Sequence, residues 1–213
     1  MKAIEVAKWF YENNSQVKYN SKEGNLVVQK LCYYAQAMYL AVYGEALFED
    51  KILAWKNGPV IEDVYKKYRY SFFSLKNSKT EITNKAQEIL KVINSVYGYK
   101  TADELVESTH SEDPWKQYKN VAGDKNNNPE ITKKNLQDYY KNLKIIYEAN
   151  KDNDFENEKL EVISNCNFLY NKSNIQDIKK YKESLKKFIK SQNIKNKSFN
   201  VVLQDNGELA IYS

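Results

Sequence analysis

The run from Lys30 to Tyr70 limits what this chain can fold into more than any other stretch. Leu31, Tyr34, Met38, Ala41 and Val42 repeat at the i, i+3, i+4, i+7 spacing of one helix face. Tyr33, Ala37 and Leu40 widen that face until little of the helix is left for water. A helix apolar on nearly every side must be wrapped by other elements. Gly44 stops it, because glycine takes the positive φ of a helix end at low cost. Trp55 then falls in a short extended piece, with a possible strand at Ile52-Leu53-Ala54-Trp55. Pro59 is expected to open the next helix, where its missing N–H costs nothing. That helix runs to about Tyr70 on Val60, Val64, Tyr65 and Tyr68. The pattern is that of a packed α-helical hairpin.

The flanking elements follow from the same periodicity. Residues 2–14 form a helix through Ile4, Val6, Ala7, Phe10 and Tyr11. Ser21 caps the long helix, which spans about Lys22 to Tyr43, and Gly24 stands where a capping box would place an acid or Gln. Thr83 or Asn84 caps a helix carried by Ala86, Ile89, Leu90, Ile93, Val96 and Tyr97 and ended by Gly98. Thr101 caps a short helix through Leu105 and Val106. Asp113-Pro114-Trp115 opens a further turn with Asp113 as N-cap and Pro114 first. Thr132 caps the last helix of the block, on Leu136, Tyr139, Tyr140, Leu143, Ile146 and Tyr147. Polar stretches at 74–81 and 124–129 read as surface loops. After a polar linker at 150–158 the pattern changes. Leu160 to Tyr170 is extended, and Ile175 to Ile189 is a helix with Ile178, Tyr181, Leu185 and Phe188 on one face. Phe199 to Gln204 and Leu209 to Tyr212 form a hairpin about Asn206-Gly207, the strongest two-residue turn signal. The expected fold is mainly α: a helical domain of about six helices with a short extended segment at 1–149, then a β-α-β-β appendage at 159–213.

Composition bounds the class. At 213 residues roughly 70% of the unfolded surface can be buried, so a core forms without disulfides or metals. The 18 Tyr supply large buried area with one polar tip each. A net charge of +5, carried by 32 Lys and a single Arg, Arg69, lacks the clustered Arg of a duplex-reading protein. There is no membrane-spanning run and no signal-peptide core at the N-terminus, so the expected location is the cytoplasm. Cys32 and Cys166 read as reduced, buried thiols. Gly-rich phosphate loops and Cys/His metal sets are absent from the sequence. His110 is the one histidine; it reads as a hydrogen-bonded packing residue. Glu104, Glu107 and Asp113 near it read as solvated or capping acids. No catalytic residue, metal or cofactor is expected.

A set of motifs then carries a resemblance. Lys30-Leu31, Tyr34-Ala35-Gln36, Tyr39-Leu40-Ala41, Gly44, Leu47-Phe48, Ala54-Trp55, Gly58-Pro59-Val60 and Val64-Tyr65 resemble the signature of the Panacea antitoxin domain, also called SocA-like. Val96-Tyr97-Gly98, Thr101-Ala102, Leu105, Thr109-His110 and Pro114-Trp115 resemble its later motifs, in order. The likeness covers about residues 1–147. It implies an antitoxin of a bacterial or prophage type II toxin–antitoxin pair, neutralising a neighbouring toxin by direct protein–protein binding. A SocA-like member acts instead as an adaptor that delivers its toxin to a AAA+ protease. The resemblance names no catalytic residue. Lys30, Tyr34, Trp55, Gly58, Pro59, Tyr65, His110 and Trp115 are read as scaffold, with Trp55 and Trp115 as large buried anchors.

The C-terminal appendage is the expected place for partner choice. Its helix offers a Lys-dense face, including Lys179, Lys182 and Lys186, that could steer an acidic partner or touch nucleic acid. Its hairpin, with Phe199, Val201, Leu203 and Tyr212, offers an edge for strand pairing. A nucleic-acid-binding regulator is the remaining alternative, and a steep salt dependence would mark it.

Overall fold

The computed structural model describes residues 1–72, 81–123, 128–153, 158–163, 166–171, 178–194, 197–203 and 209–212. Among these, nine α-helices, one short 3₁₀ turn and six strands divide between two compact units. The protein is mainly α. The first unit comprises Met1–Gly98 and Leu105–Asp152, the second Tyr99–Glu104 and Asn153–Ser213.

In the first unit, α2 (Lys22–Tyr43) is the axis. Val27 through Leu40 are all buried. Around it pack α1 (Ala3–Asn13), α3 (Glu62–Tyr70), α4 (Asn84–Tyr97), α7 (Lys133–Tyr139), α8 (Leu143–Asn150) and a small hairpin. Ser21 Oγ accepts the Gly24 N–H at 2.9 Å, and Gly44 ends the helix at φ 72°. Gly24 occupies the capping-box position for a steric reason: a side chain there would collide with the Tyr68 hydroxyl, which donates to the Val17 carbonyl at 2.8 Å.

The chain after Trp55 departs from the expected helix at Pro59. Leu53–Trp55 (β1) and Gly58–Val60 (β2) instead form an antiparallel pair, in which Trp55 faces Gly58 and Ala54 faces Pro59. The helix begins only at Glu62. Pro59 cannot donate to a ladder, but its carbonyl accepts from Lys30, which holds the segment extended. Gln29 Oε1 then accepts the Ile61 N–H at 2.8 Å. Glu62 and Asp63 in the first turn of α3 meet its positive dipole end.

Three other boundaries shift. Thr101 Oγ1 accepts the Glu104 N–H while Thr101 N–H donates to the Glu104 carboxylate. The helix they cap, α5, runs from Ala102 to Ser111, longer than the short helix expected. The next turn, α6 (Asp113–Lys116), has Glu112 and not Asp113 as N-cap, with Pro114 inside the first turn. The helix after Thr132 is two: the chain breaks at Tyr140, which leaves helical ψ at 28°. Tyr139, read as apolar-facing, is 41% exposed.

The second unit is built as β-β-α-β-β, not β-α-β-β. The expected single extended stretch is two strands, β3 (Glu158–Ile163) and β4 (Cys166–Asn171), paired antiparallel. β4 and β5 (Ser198–Leu203) are parallel, so they need a crossover, and α9 (Ile178–Gln192) supplies it. β6 (Leu209–Tyr212) pairs antiparallel with β5, giving the order β3-β4-β5-β6. The hairpin expectation for β5 and β6 holds; its Asn206-Gly207 turn lies outside the described residues, as do the loop at 74–80 and Ile175. Tyr181, Leu185 and Ile189 of α9 pack on Cys166, Phe168, Tyr170, Phe199 and Val201. Within this unit Ser198 N–H donates to Glu104 at 3.0 Å and Thr101 N–H to Ser198 Oγ at 3.1 Å.

Candidate functional site

Of the buried polar side chains of α2, Gln29, Lys30 and Gln36 each peg a loop to the helix. Gln36 Oε1 accepts the Leu47 and Phe48 N–H groups at 3.0 and 3.1 Å. Gln29 holds Ile61 as described. Lys30, 0% exposed, donates Nζ to the Asn57 carbonyl at 2.6 Å and the Pro59 carbonyl at 3.2 Å. Burial pulls its pKa down to about 7, because an ammonium stripped of water is costly even when hydrogen-bonded. Gly58 makes this possible. Its φ is +97°, and a Cβ there would lie 2.8 Å from Lys30 Nζ and 2.9 Å from Thr109 Oγ1.

The motif residues converge on this hairpin. Trp115 Nε1 donates to the Trp55 carbonyl at 2.9 Å. His110 stacks on the Trp115 indole, with ring centroids 3.8 Å apart and planes 13° from parallel. Its buried Nε2 has no hydrogen-bond partner among the described residues. Burial, with Lys30 and Lys119 nearby, lowers its pKa and so favours the neutral ring. Trp115 is a buried anchor at 4% exposure. Trp55 is only half-buried, with its ring 5.0 Å from Tyr65 of α3. A cleft of about 430 Å³ opens there, with Leu26, Val60, Trp55 and Tyr65 in its wall.

Behind the hairpin sits a residue the sequence reading passed over. Glu112 accepts from the Tyr34 hydroxyl at 3.0 Å and, at very short range, from Tyr140. Tyr33 lies 3.1 Å from the Tyr140 hydroxyl, and Tyr97 stacks on Tyr34 at 4.3 Å. Burial drives the Glu112 carboxyl up to about 7, and the two tyrosine hydrogen bonds only partly offset it. The same burial and the neighbouring carboxylate push Tyr34 and Tyr140 well above the ordinary phenol range. Four aromatic hydroxyls or rings around one acid clamp α2, α4, α6 and the Tyr140 break together. The signal in the sequence is faint: an acid next to Asp113-Pro114, in a chain rich in tyrosine.

The surface expected of the C-terminal hairpin is not where it was placed. Phe199 and Val201 are buried at 4% each beneath α9, because alternate residues of β5 face the helix. Val202, between them and Leu203, is 50% exposed. Lys186 is exposed and Lys182 half-buried on α9. The side chains of Lys179, Leu203 and Tyr212 lie outside the described part of the structure. Among the described residues β6 lies at one end of the strand order. Cys32 and Cys166 are free and buried. Among the described residues no metal-ligand cluster occurs and no helix is long and apolar enough to cross a membrane.

Comparison with known proteins returns one family. No curated protein and no solved structure matches the chain. The model of the family described as antitoxin SocA-like, Panacea domain, matches residues 28–116. That stretch is narrower than the 1–147 read from the motifs. It contains Lys30, Tyr34, Trp55, Gly58, Pro59, Tyr65, His110, Glu112 and Trp115. Over residues 28–116, from the buried half of α2 through α6, this chain carries the match to the SocA-like Panacea domain of antitoxins.

Proposed function

We propose that this protein is the antitoxin of a bacterial toxin–antitoxin pair, and that it neutralises a protein toxin encoded beside it by binding that toxin directly. The observation that carries this reading is the Panacea match over residues 28–116. The use made of the motif residues supports it. Lys30, Thr109 and Trp115 donate their side-chain polar hydrogens to carbonyls of the chain's own backbone. They build a rigid scaffold, and the work is left to its outer surface. In this reading the protein binds and does not catalyse.

The test is co-expression with the product of the adjacent gene. Growth is restored, and the two proteins co-purify as a stable complex. Neutralisation without a detectable complex, accompanied by protease-dependent loss of the toxin, replaces the masking mechanism with the AAA+ adaptor one. No neutralisation of either kind refutes the antitoxin reading.

A further inference from the structure

The cleft beside the β1–β2 hairpin has a composition that the scaffold does not need. Its wall is apolar and aromatic, and its rim carries Lys22, Lys56 and Arg69 with no carboxylate among the lining residues. The three cations come from three elements: the first residue of α2, the hairpin turn and the last turn of α3. All three are exposed. Among the described residues none is paired with an acid, whereas neighbouring Lys66 is paired with Glu62 at 2.9 Å. Arg69 is braced instead by the Tyr65 hydroxyl, to which it donates at 2.6 Å. Unpaired like charges around one opening repel one another and focus positive potential into it. On its wall, the Trp55 Nε1–H is shut off from water and has no acceptor among the described residues.

We propose that this cleft docks an acidic segment of the protein partner, which seats one apolar or aromatic side chain against Leu26, Val60, Trp55 and Tyr65. Carboxylates flanking that side chain meet Lys22, Lys56 and Arg69. The proposal rests on the antitoxin reading and names the surface and the chemistry of the partner. Interface energy concentrates in a few central, well-packed contacts enriched in Trp, Tyr and Arg, while rim charges set encounter rate and specificity. The volume suits one large side chain with its neighbours. A phosphate ligand fits less well. The Gly24 N–H at the start of α2 is already taken by Ser21 Oγ. The cations also stand on separate elements, not on one loop whose successive N–H groups could wrap an anion.

The experiment uses the full chain with the adjacent-gene product. The variant Lys22→Glu/Lys56→Glu/Arg69→Glu alters exposed side chains only, so its circular dichroism and melting match wild type. Its affinity for the partner is expected to fall at least ~30-fold, about 2 kcal/mol. Wild-type binding should weaken steeply with added salt and the variant's should not. Should the triple variant unfold, Lys56→Glu alone, in the turn, is expected to lose at least ~3-fold, about 0.7 kcal/mol. Lys22→Arg/Lys56→Arg/Arg69→Lys should bind as wild type does. Equal affinity of wild type and the charge-reversed variants overturns the docking site and leaves the antitoxin reading standing. A wild-type protein that binds no adjacent-gene product overturns both. Saturable ATP binding that the reversal abolishes, with partner binding unchanged, makes the cleft a nucleotide site and also overturns the proposal.

Discussion

Replacing Glu112 by Gln isolates the electrostatic cost of an acid that is half-buried among tyrosines. In the folded chain its carboxyl titrates at about 7, against an ordinary value of 4.5. Between those values the folded state binds more protons than the unfolded one. Stability therefore falls as pH rises from about 4.5 through about 7, and the contribution is fully present only below that window. A shift of about 2.5 units is worth about 3 kcal/mol. That figure is a substantial share of a typical ~5–15 kcal/mol total. Gln has nearly the same shape and cannot ionise. It keeps one carbonyl acceptor for Tyr34 or Tyr140, and its amide must donate to the other, at a cost of about 1 kcal/mol. Glu112→Gln is thus expected to be slightly less stable than wild type near pH 4 and about 2 kcal/mol more stable near pH 8. The assay is urea unfolding at several pH values, with the difference between the two proteins plotted against pH. That difference should climb by about 3 kcal/mol across the window. Parallel wild-type and Glu112→Gln curves would refute the claim that Glu112 is partly desolvated and hydrogen-bonded by Tyr34 and Tyr140.

Lys30 has the opposite sign. Its folded pKa of about 7 lies below the ordinary 10.5, so its contribution is lost as pH falls through 7, and wild type should gain about 2 kcal/mol between pH 7 and pH 9. Lys30→Met should abolish that gain in the same unfolding series, and an unchanged slope sinks the assignment. Gly58→Ala, at φ +97° and against Lys30 and Thr109, should cost at least about 2 kcal/mol; a melting temperature within a degree of wild type would show that the hairpin relaxes freely. Truncation after Asn150 should leave a folded helical protein. If the C-terminal unit helps choose the partner, truncation lowers affinity for the adjacent-gene product at least ~10-fold, about 1.4 kcal/mol, and undiminished binding confines partner choice to the first unit.

Local patterning alone determined much of this protein. The apolar run of α2 announced a central helix because a helix with no polar face can exist only inside other elements. Ser21, Thr83 and Thr132 marked helix starts because their oxygens satisfy N–H groups of the first turn that no carbonyl can reach. The Lys30, Trp55, Gly58-Pro59, His110 and Trp115 motifs marked the stretch that matches the Panacea family. Tertiary structure alone decided the rest, wherever a long-range partner overrode a local preference. Pro59 reads as a helix opener until Lys30, 29 residues earlier, takes its carbonyl and keeps it in a strand. Tyr140 fits a continuous helix by spacing, yet that helix breaks where its hydroxyl meets Glu112. Phe199 and Val201 looked like a hairpin surface because strand alternation does not say which face a helix will cover. Tyr99–Glu104, continuous in sequence with the helical block, belongs to the second unit through hydrogen bonds to Ser198. The convergence of Lys22, Lys56 and Arg69 on one cleft has no trace in their spacing. Periodicity reports which face of an element is dry, whereas hydrogen bonds and charges between residues far apart in the chain exist only once the chain has folded.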